Sequence, residues 1–303
     1  MNKFHLNKAG IIMMLALFFL VSCSFNSGSK HKAKVSMGYI LNITHAVPII
    51  ALEKELFGEE IKHYHFSSGG YLLNSLLTEN IDAAFIGPGP YINAIDKGVK
   101  LKLLGSYAYG ANSLILSKKF QGKDLSEIKK LRMAVPQFGN TQDLLAKMFL
   151  DDLTDEYIAI APAELEFAFF TESVDAALVS EPWASVLTKN GLVNANSLFK
   201  ERLENINKFP STLLVINDKH YKKNKQFYNG FQEKIDSLYL ELQSGKDFSK
   251  EIENHFYEIN KKSLEEGLVE KSLEQIDFKT NDNLEFYLSE LRKAAVAAKY
   301  LKN

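Results

Sequence analysis

From residue 35 the apolar positions alternate (Val35, Met37, Tyr39, Leu41), the two-residue period of a half-buried strand. The alternation breaks at Asn42–His45, and apolar residues then recur at helical spacing over 47–57. Residues 61–66 read as a second strand, Ser67, Ser68, Gly69 and Gly70 as a turn, and 71–78 as a helix. A third unit begins at IDAAFIGPGP, residues 81–90, where a short run of small and β-branched residues meets a Gly/Pro break and a helix closed by Gly98. Three strand–helix units in succession predict a doubly wound parallel sheet with right-handed crossovers.

The same series starts again further on. Residues 101–104 and 113–117 read as strands leaving the first sheet, and 131–135 as the first strand of another. A turn at 136–140, a helix at 141–150, a strand at 157–160 and a helix at 162–170 follow. They lead to VDAALVSEPW, residues 174–183, a near-copy of IDAAFIGPGP that runs to Gly191. Ligands of open α/β sheets bind where strands end and helices begin, so two such turns on two sheets would face each other across a cleft. Residues 209–217 read as a strand returning toward the first lobe. The chain after Asp218 is almost wholly helical, with amphipathic stretches near 221–243, 248–264 and 284–301 expected to pack on that lobe. The expected architecture is α/β with two lobes, each a doubly wound, mostly parallel sheet. Residues 35–118 with 216–303 form lobe 1, and 119–215 form lobe 2.

With 303 residues, 46% of them hydrophobic, the chain can build its cores without disulfides. Residues 1–22 read as a secretory signal: Lys3 and Lys8 open it, and an apolar run from Ile11 to Val21 is too short to span a bilayer. Its exit, Leu20, Val21, Ser22 and Cys23, is similar to a bacterial lipoprotein signal, which makes the only cysteine the lipid-bearing first residue and 23–34 a solvated tether. Removal of 1–22 leaves 34 basic and 37 acidic residues, a near-neutral balance that argues against a nucleic-acid partner.

Four stretches now stand in order: GYILNITHAVPIIALEKELF from Gly38, SSGGYLLNSLLTENIDAAFIGPGP from Ser67, QFGNTQD from Gln137, and VDAALVSEPW. Together they resemble the successive motifs of ABC-transporter solute-binding proteins of the nitrate, sulfonate, taurine and thiamine-precursor type, over about residues 35–217. The resemblance implies a two-lobed periplasmic-binding-protein-like fold of type II. It also implies an extracytoplasmic receptor that acts as a monomer, needs no cofactor or metal, and works with the transmembrane subunits of a permease. Its ligand contacts would come from Asn42, Thr44 and His45 after the first strand, Ser68, Gly69 and Gly70 in the second turn, and Gly87, Pro88, Gly89 and Pro90 in the third. The facing lobe would supply Gln137, Gly139, Asn140, Thr141, Glu181 and Trp183.

Physical chemistry supports turns that precede helices, because free N–H groups at helix starts attract an anion without a full positive charge. Gly69 and Gly70 would let backbone approach a ligand closely. No Lys or Arg lies in these turns, so a monoanion or a neutral solute is expected rather than a dianion. Ser68, Asn140 and Thr141 read equally as helix caps. Glu181 either meets an amine on the ligand or is a buried acceptor that fixes the turn at Pro182 or clasps the hinge, and Trp183 either covers the ligand or plugs a core. His63 and His65 share a strand face without a third metal ligand, and Asp82 and Asp175, one in each twin, are expected to hold neighbouring backbone. No nucleophile motif or phosphate loop is present, which favours binding over catalysis. The alternatives are binding of a thiamine-pyrimidine precursor, or an enzyme of menaquinone or pyrimidine biosynthesis on the same fold.

Overall fold

A computed structural model describes residues 35–124, 127–203, 209–278 and 283–301. The expected signal, tether and Cys23 lie outside the described residues. The first half holds β1 (Val35–Ile40), α1 (Ala46–Glu53), β2 (Ile61–Phe66), α2 (Gly69–Leu77), β3 (Ala83–Ile86), α3 (Pro88–Asp96), β4 (Leu101–Gly110) and β5 (Asn112–Leu116). Next come β6 (Leu131–Val135), α4 (Thr141–Phe149), β7 (Thr154–Ala159), α5 (Leu165–Phe170), β8 (Ala176–Ser180), α6 (Trp183–Lys189), β9 (Val193–Asn194), α7 (Asn196–Leu203) and β10 (Pro210–Asn217). The remainder is α8 (Asp218–Lys223), α9 (Lys225–Gln243), α10 (Ser249–Asn260), α11 (Leu268–Leu273), β11 (Ile276–Asp277) and α12 (Leu284–Ala297).

The strands form two sheets, in the orders β2-β1-β3-β10-β4-β11 and β7-β6-β8-β5-β9. In each, three parallel strands come first and an antiparallel strand from the other half of the chain is laid against the third. β5 therefore belongs to the second sheet and β10 to the first, so the lobe limits expected at 118 and 216 each fall one strand late. Only Ala111 separates β4 from β5, and alternation along a strand does not say which sheet it joins.

The twins are the third strands of the two sheets. Their alanines, Ala83, Ala84, Ala176 and Ala177, are fully buried, as expected for strands covered on both faces. Their aspartates do matching work. Asp82 Oδ2 accepts from the Ser36 N–H (2.8 Å) and hydroxyl (2.6 Å) on β1, and Asp175 Oδ2 accepts from the Arg132 N–H (3.0 Å) on β6. Each pins the start of the neighbouring central strand, as the sequence suggested. Asp175 also takes the Arg132 guanidinium and Lys119, which hold its carboxyl well below the usual carboxylate range.

α9 and α10 pack on α1 of the first lobe, sealing a core that runs through Met37, Ile50, Phe231 and Phe248. The last two helices reach beyond lobe 1, where all C-terminal helices were expected. α11 packs on α10 and the turn at 43–45, with Val269 in the lobe 1 core, and also touches α6 of the second lobe; α12 packs on α3, α4 and β10 together. Amphipathic spacing identifies a buried face but not the lobe it meets. Among the described residues, no helix is long and apolar enough to cross a membrane.

Candidate functional site

Between the C-terminal ends of β1 and β3 on one side, and β6 and β8 on the other, lies a cleft of about 670 Å³. Local sequence shapes its rim. Asn42 caps the short helical turn after β1, its Oδ1 accepting from the Thr44 N–H and hydroxyl at 2.8 Å. Ser68 caps α2 through the Tyr71 N–H, Pro88 opens α3 where no N–H is needed, and Asn140 caps α4 through the Asp143 N–H at 2.8 Å.

The wall holds Asn42, Thr44, His45, Ser68, Gly69, Gly87 and Pro90 from the first lobe, and Gln137, Asn140, Thr141 and Trp183 from the second. The structure thus brings most of the residues nominated from sequence together. Gly70, Pro88, Gly89, Gly139 and Glu181 lie off the wall. Sequence reasoning missed His65, Phe66, Tyr71, Asn112, Gln142, Ser180, Ser211, Ile259 and Asn260. Ser180 directly precedes Glu181 in the second twin and could have been found. Asn112 and Ser211 sit on the crossing strands, and Ile259 and Asn260 end α10, so only tertiary structure brings them here.

Glu181 has a structural place. It is 2% exposed, and its Oε2 accepts from the Ser185 N–H (3.2 Å) and the Ser272 hydroxyl (3.3 Å), tying the α6 turn to α11. Burial pushes its carboxyl pKa up. Trp183 lines the cleft and packs on the second-lobe core of Leu165, Val179 and Leu187.

The two lobes touch along the cleft. Asn42 Nδ2 donates to Ser180 Oγ at 2.7 Å, the Gly89 N–H to Thr141 Oγ1 at 3.3 Å, and Asn93 Nδ2 to the Gly139 carbonyl at 3.2 Å. The glycines serve this approach. A Cβ on Gly89 would meet the Asn140 carbonyl oxygen at 2.6 Å, one on Gly70 the Gln137 side-chain oxygen at 2.8 Å, and one on Gly87 would strike Thr141 Oγ1. A Cβ on Gly69 would meet the Pro90 ring of its own lobe at 2.8 Å. Instead of opening backbone to a ligand, Gly70 opens it to the opposite lobe.

Among the described residues, no Lys, Arg, Asp or Glu lines the cleft. His45, 3% exposed, accepts the Ile40 N–H on Nδ1 at 3.4 Å, and burial lowers its pKa to about 3. At neutral pH the ring is uncharged, with its proton on Nε2. The wall is polar and neutral, flanked by Phe66, Tyr71 and Trp183.

Two α/β lobes joined by exchanged antiparallel strands around such a cleft define the periplasmic-binding-protein fold, with the strand order of its two-lobed type II form. The chain belongs to the NMT1-like family, whose model matches residues 28–235. No curated protein sequence matches it. Among solved structures it is similar to the periplasmic aliphatic sulphonate binding protein SsuA of Escherichia coli, at 16% identity over 89% of this chain and 94% of that one, TM-score 0.68. It is also similar to the alkanesulfonate-binding protein SsuA of Xanthomonas axonopodis pv. citri bound to MOPS (18% identity, 89% and 95% covered, TM-score 0.68). The periplasmic nitrate-binding protein NrtA of Synechocystis PCC 6803 is more distant (14%, 75% and 66%, TM-score 0.59).

Proposed function

We propose that this chain is the extracytoplasmic solute-binding component of an ABC importer, taking a small monoanionic or neutral solute between its lobes. The observation that carries the reading is the interlobe cleft: polar groups from both lobes converge on a cavity without charged side chains, so neutral donors and helix starts would hold the ligand. Contacts from both lobes coexist only when the lobes meet. Ligand would therefore shift the population toward the closed shape, which permease subunits read, and no chemistry is required. The neighbours that bind sulfonates and nitrate share this architecture, which supports a solute of that size and charge.

The anchor belongs to the same reading. Cys23 after Leu20, Val21 and Ser22 would carry lipid and hold a monomeric receptor to the membrane. If so, Cys23→Ala leaves the membrane fraction or accumulates as precursor; unchanged mature mass and partition would refute the anchor.

A thermal-shift panel of taurine, alkanesulfonates, nitrate, bicarbonate and aminopyrimidines on the purified chain tests the receptor. A ligand that binds only the folded state raises the unfolding midpoint in proportion to the logarithm of its concentration. Turnover of the ligand, or no stabilisation by any member, would overturn the reading.

A further inference from the structure

Resting on the solute-binding reading, we infer that His65 is the counter-charge of the cleft: it takes up a proton as an anionic solute binds, so the receptor selects monoanions and holds them more tightly in acid than in base. The inference starts from which side chains on the wall can change charge. Among the described residues that line the cleft, only His45, His65 and Tyr71 carry a titratable side chain. A phenol stays neutral through the physiological range, and burial lowers the His45 pKa to about 3, so neither supplies a charge there. That leaves His65, and imidazole is the side chain whose charge changes between pH 5 and 8.

The surroundings of His65 leave that charge unpaired. It is the fifth of the six residues of β2, in register with Tyr39 on β1, at the strand end that opens into the cleft. The residue is exposed, and among the described residues no hydrogen bond or ion pair occupies its ring. His63 and Tyr39 share its face of the sheet, because side chains alternate along a strand. Desolvation, and after it His255 and His65, lower the His63 pKa, while Glu53 raises it, so of the two strand histidines the one at the cleft takes the proton. Glu53 of α1, the acid that faces this group, is already engaged: its Oε1 lies 2.7 Å from His255 Nδ1 of α10, whose Nε2 lies 2.7 Å from the Tyr39 hydroxyl. Lys62 and Tyr64 point to the opposite face, where the Lys62 ammonium lies 5.0 Å from the Tyr64 ring centre. α2, which follows the strand, carries no charged side chain, and Glu258 near the end of α10 is paired with Lys261 at 2.7 Å. A protonated His65 therefore finds no carboxylate in the protein, and an anion in the cleft is its partner. A neutral solute gains nothing from that charge, so the preference for an anion grows as the ring protonates.

The test titrates ethanesulfonate and nitrate calorimetrically into the purified chain at pH 5.5 and pH 8.0 and constant ionic strength; both solutes stay anions across that range. Each should bind about fivefold more tightly at pH 5.5, the upper end for an exposed ion pair. Binding near pH 6.5 should also take up protons, read from the difference between two buffers of unlike ionisation enthalpy. In His65→Gln the affinity should keep its pH 8.0 value at both pH values, with no proton uptake and an unchanged ligand-free unfolding midpoint, whereas His63→Gln should keep the parental dependence. An affinity of the parent that does not vary with pH, or a dependence that survives in His65→Gln, would overturn the inference and leave the receptor intact. Failure of both anions at pH 5.5, while a neutral member of the wider panel stabilises the chain, would do the same. Failure of every member of that panel at both pH values would overturn the receptor itself and the inference with it.

Discussion

At the scale of single residues, the interlobe contact rests on positions where one added carbon has no room. Gly89 lies at the start of α3, and a Cβ there would sit 2.6 Å from Asn140 and 2.7 Å from the Thr141 nitrogen, both backbone atoms that cannot swing aside. Gly89→Ala should therefore oppose closure more than folding. The expected result is a ligand-free unfolding midpoint near that of the parent and an affinity weakened by about 1–3 kcal/mol, the usual cost of overpacking; an unchanged affinity by calorimetry would show that the lobes need not meet there. His45 gives a second prediction. Its pKa falls from about 6.5 unfolded to about 3 folded, so the unfolded chain binds the extra proton as pH drops. Stability is then full above pH 6.5 and declines toward pH 3 at a slope near 1.4 kcal/mol per pH unit. In His45→Gln this part of the acid dependence should vanish from unfolding curves. The sequence disclosed His45 as a cleft residue because it ends the first strand's turn. For Glu181 it offered the buried acceptor beside the ligand contact but could not decide between them, since the partner that decides its role, Ser272, lies 91 residues away.

Among elements, the repeated strand–helix units were legible because each carries its own period and its own break. The exchanged strands were not, because β5 and β10 look like any buried strand until their partners are known. In the C-terminal segment α9 and α10 pack on the first lobe as expected, but the reach of α12 across both lobes was hidden for the same reason. Tyr300, just beyond α12, donates its hydroxyl to Asp143 Oδ2 of α4 at 3.2 Å and accepts from Asn93 Nδ2 of α3 at 3.4 Å. The Lys147 ammonium forms an ion pair with Asp143 Oδ1 at 2.8 Å and lies over the rings of Phe138, Tyr157 and Tyr300, at 5.2, 5.4 and 5.5 Å. Two lobes are thereby joined by a further element, α12, which lies on the flank of α3 and α4 and packs on the crossing strand β10 as well. Loss of the hydroxyl in Tyr300→Phe keeps the ring over Lys147 but removes both bonds. It should raise the ligand dissociation rate severalfold in stopped-flow traces while changing the unfolding free energy by about 1 kcal/mol. Unaltered dissociation would assign α12 to packing alone.

For the molecule as a whole, the single tryptophan stands where closure must be felt. Trp183 opens α6 and is half-buried, its ring shared between the cleft wall and the second-lobe core. Asn42 and Ser180, which bond across the interface at 2.7 Å, place the first lobe beside that turn, so separation of the lobes would admit water to the ring. Excited at the red edge, where the 13 tyrosines contribute little, its emission should shift on ligand addition and saturate at the concentration that saturates the thermal stabilisation. Trp183→Phe should abolish the signal and weaken binding by about 1–2 kcal/mol, since an aromatic contact is reduced and not removed. Gly89→Ala offers the decisive comparison: a wedge between the lobes should shrink the emission change even at saturating ligand. A full change in that variant would mean that Trp183 senses the ligand directly and not the meeting of the lobes, and hinge closure would then need a probe placed on α3.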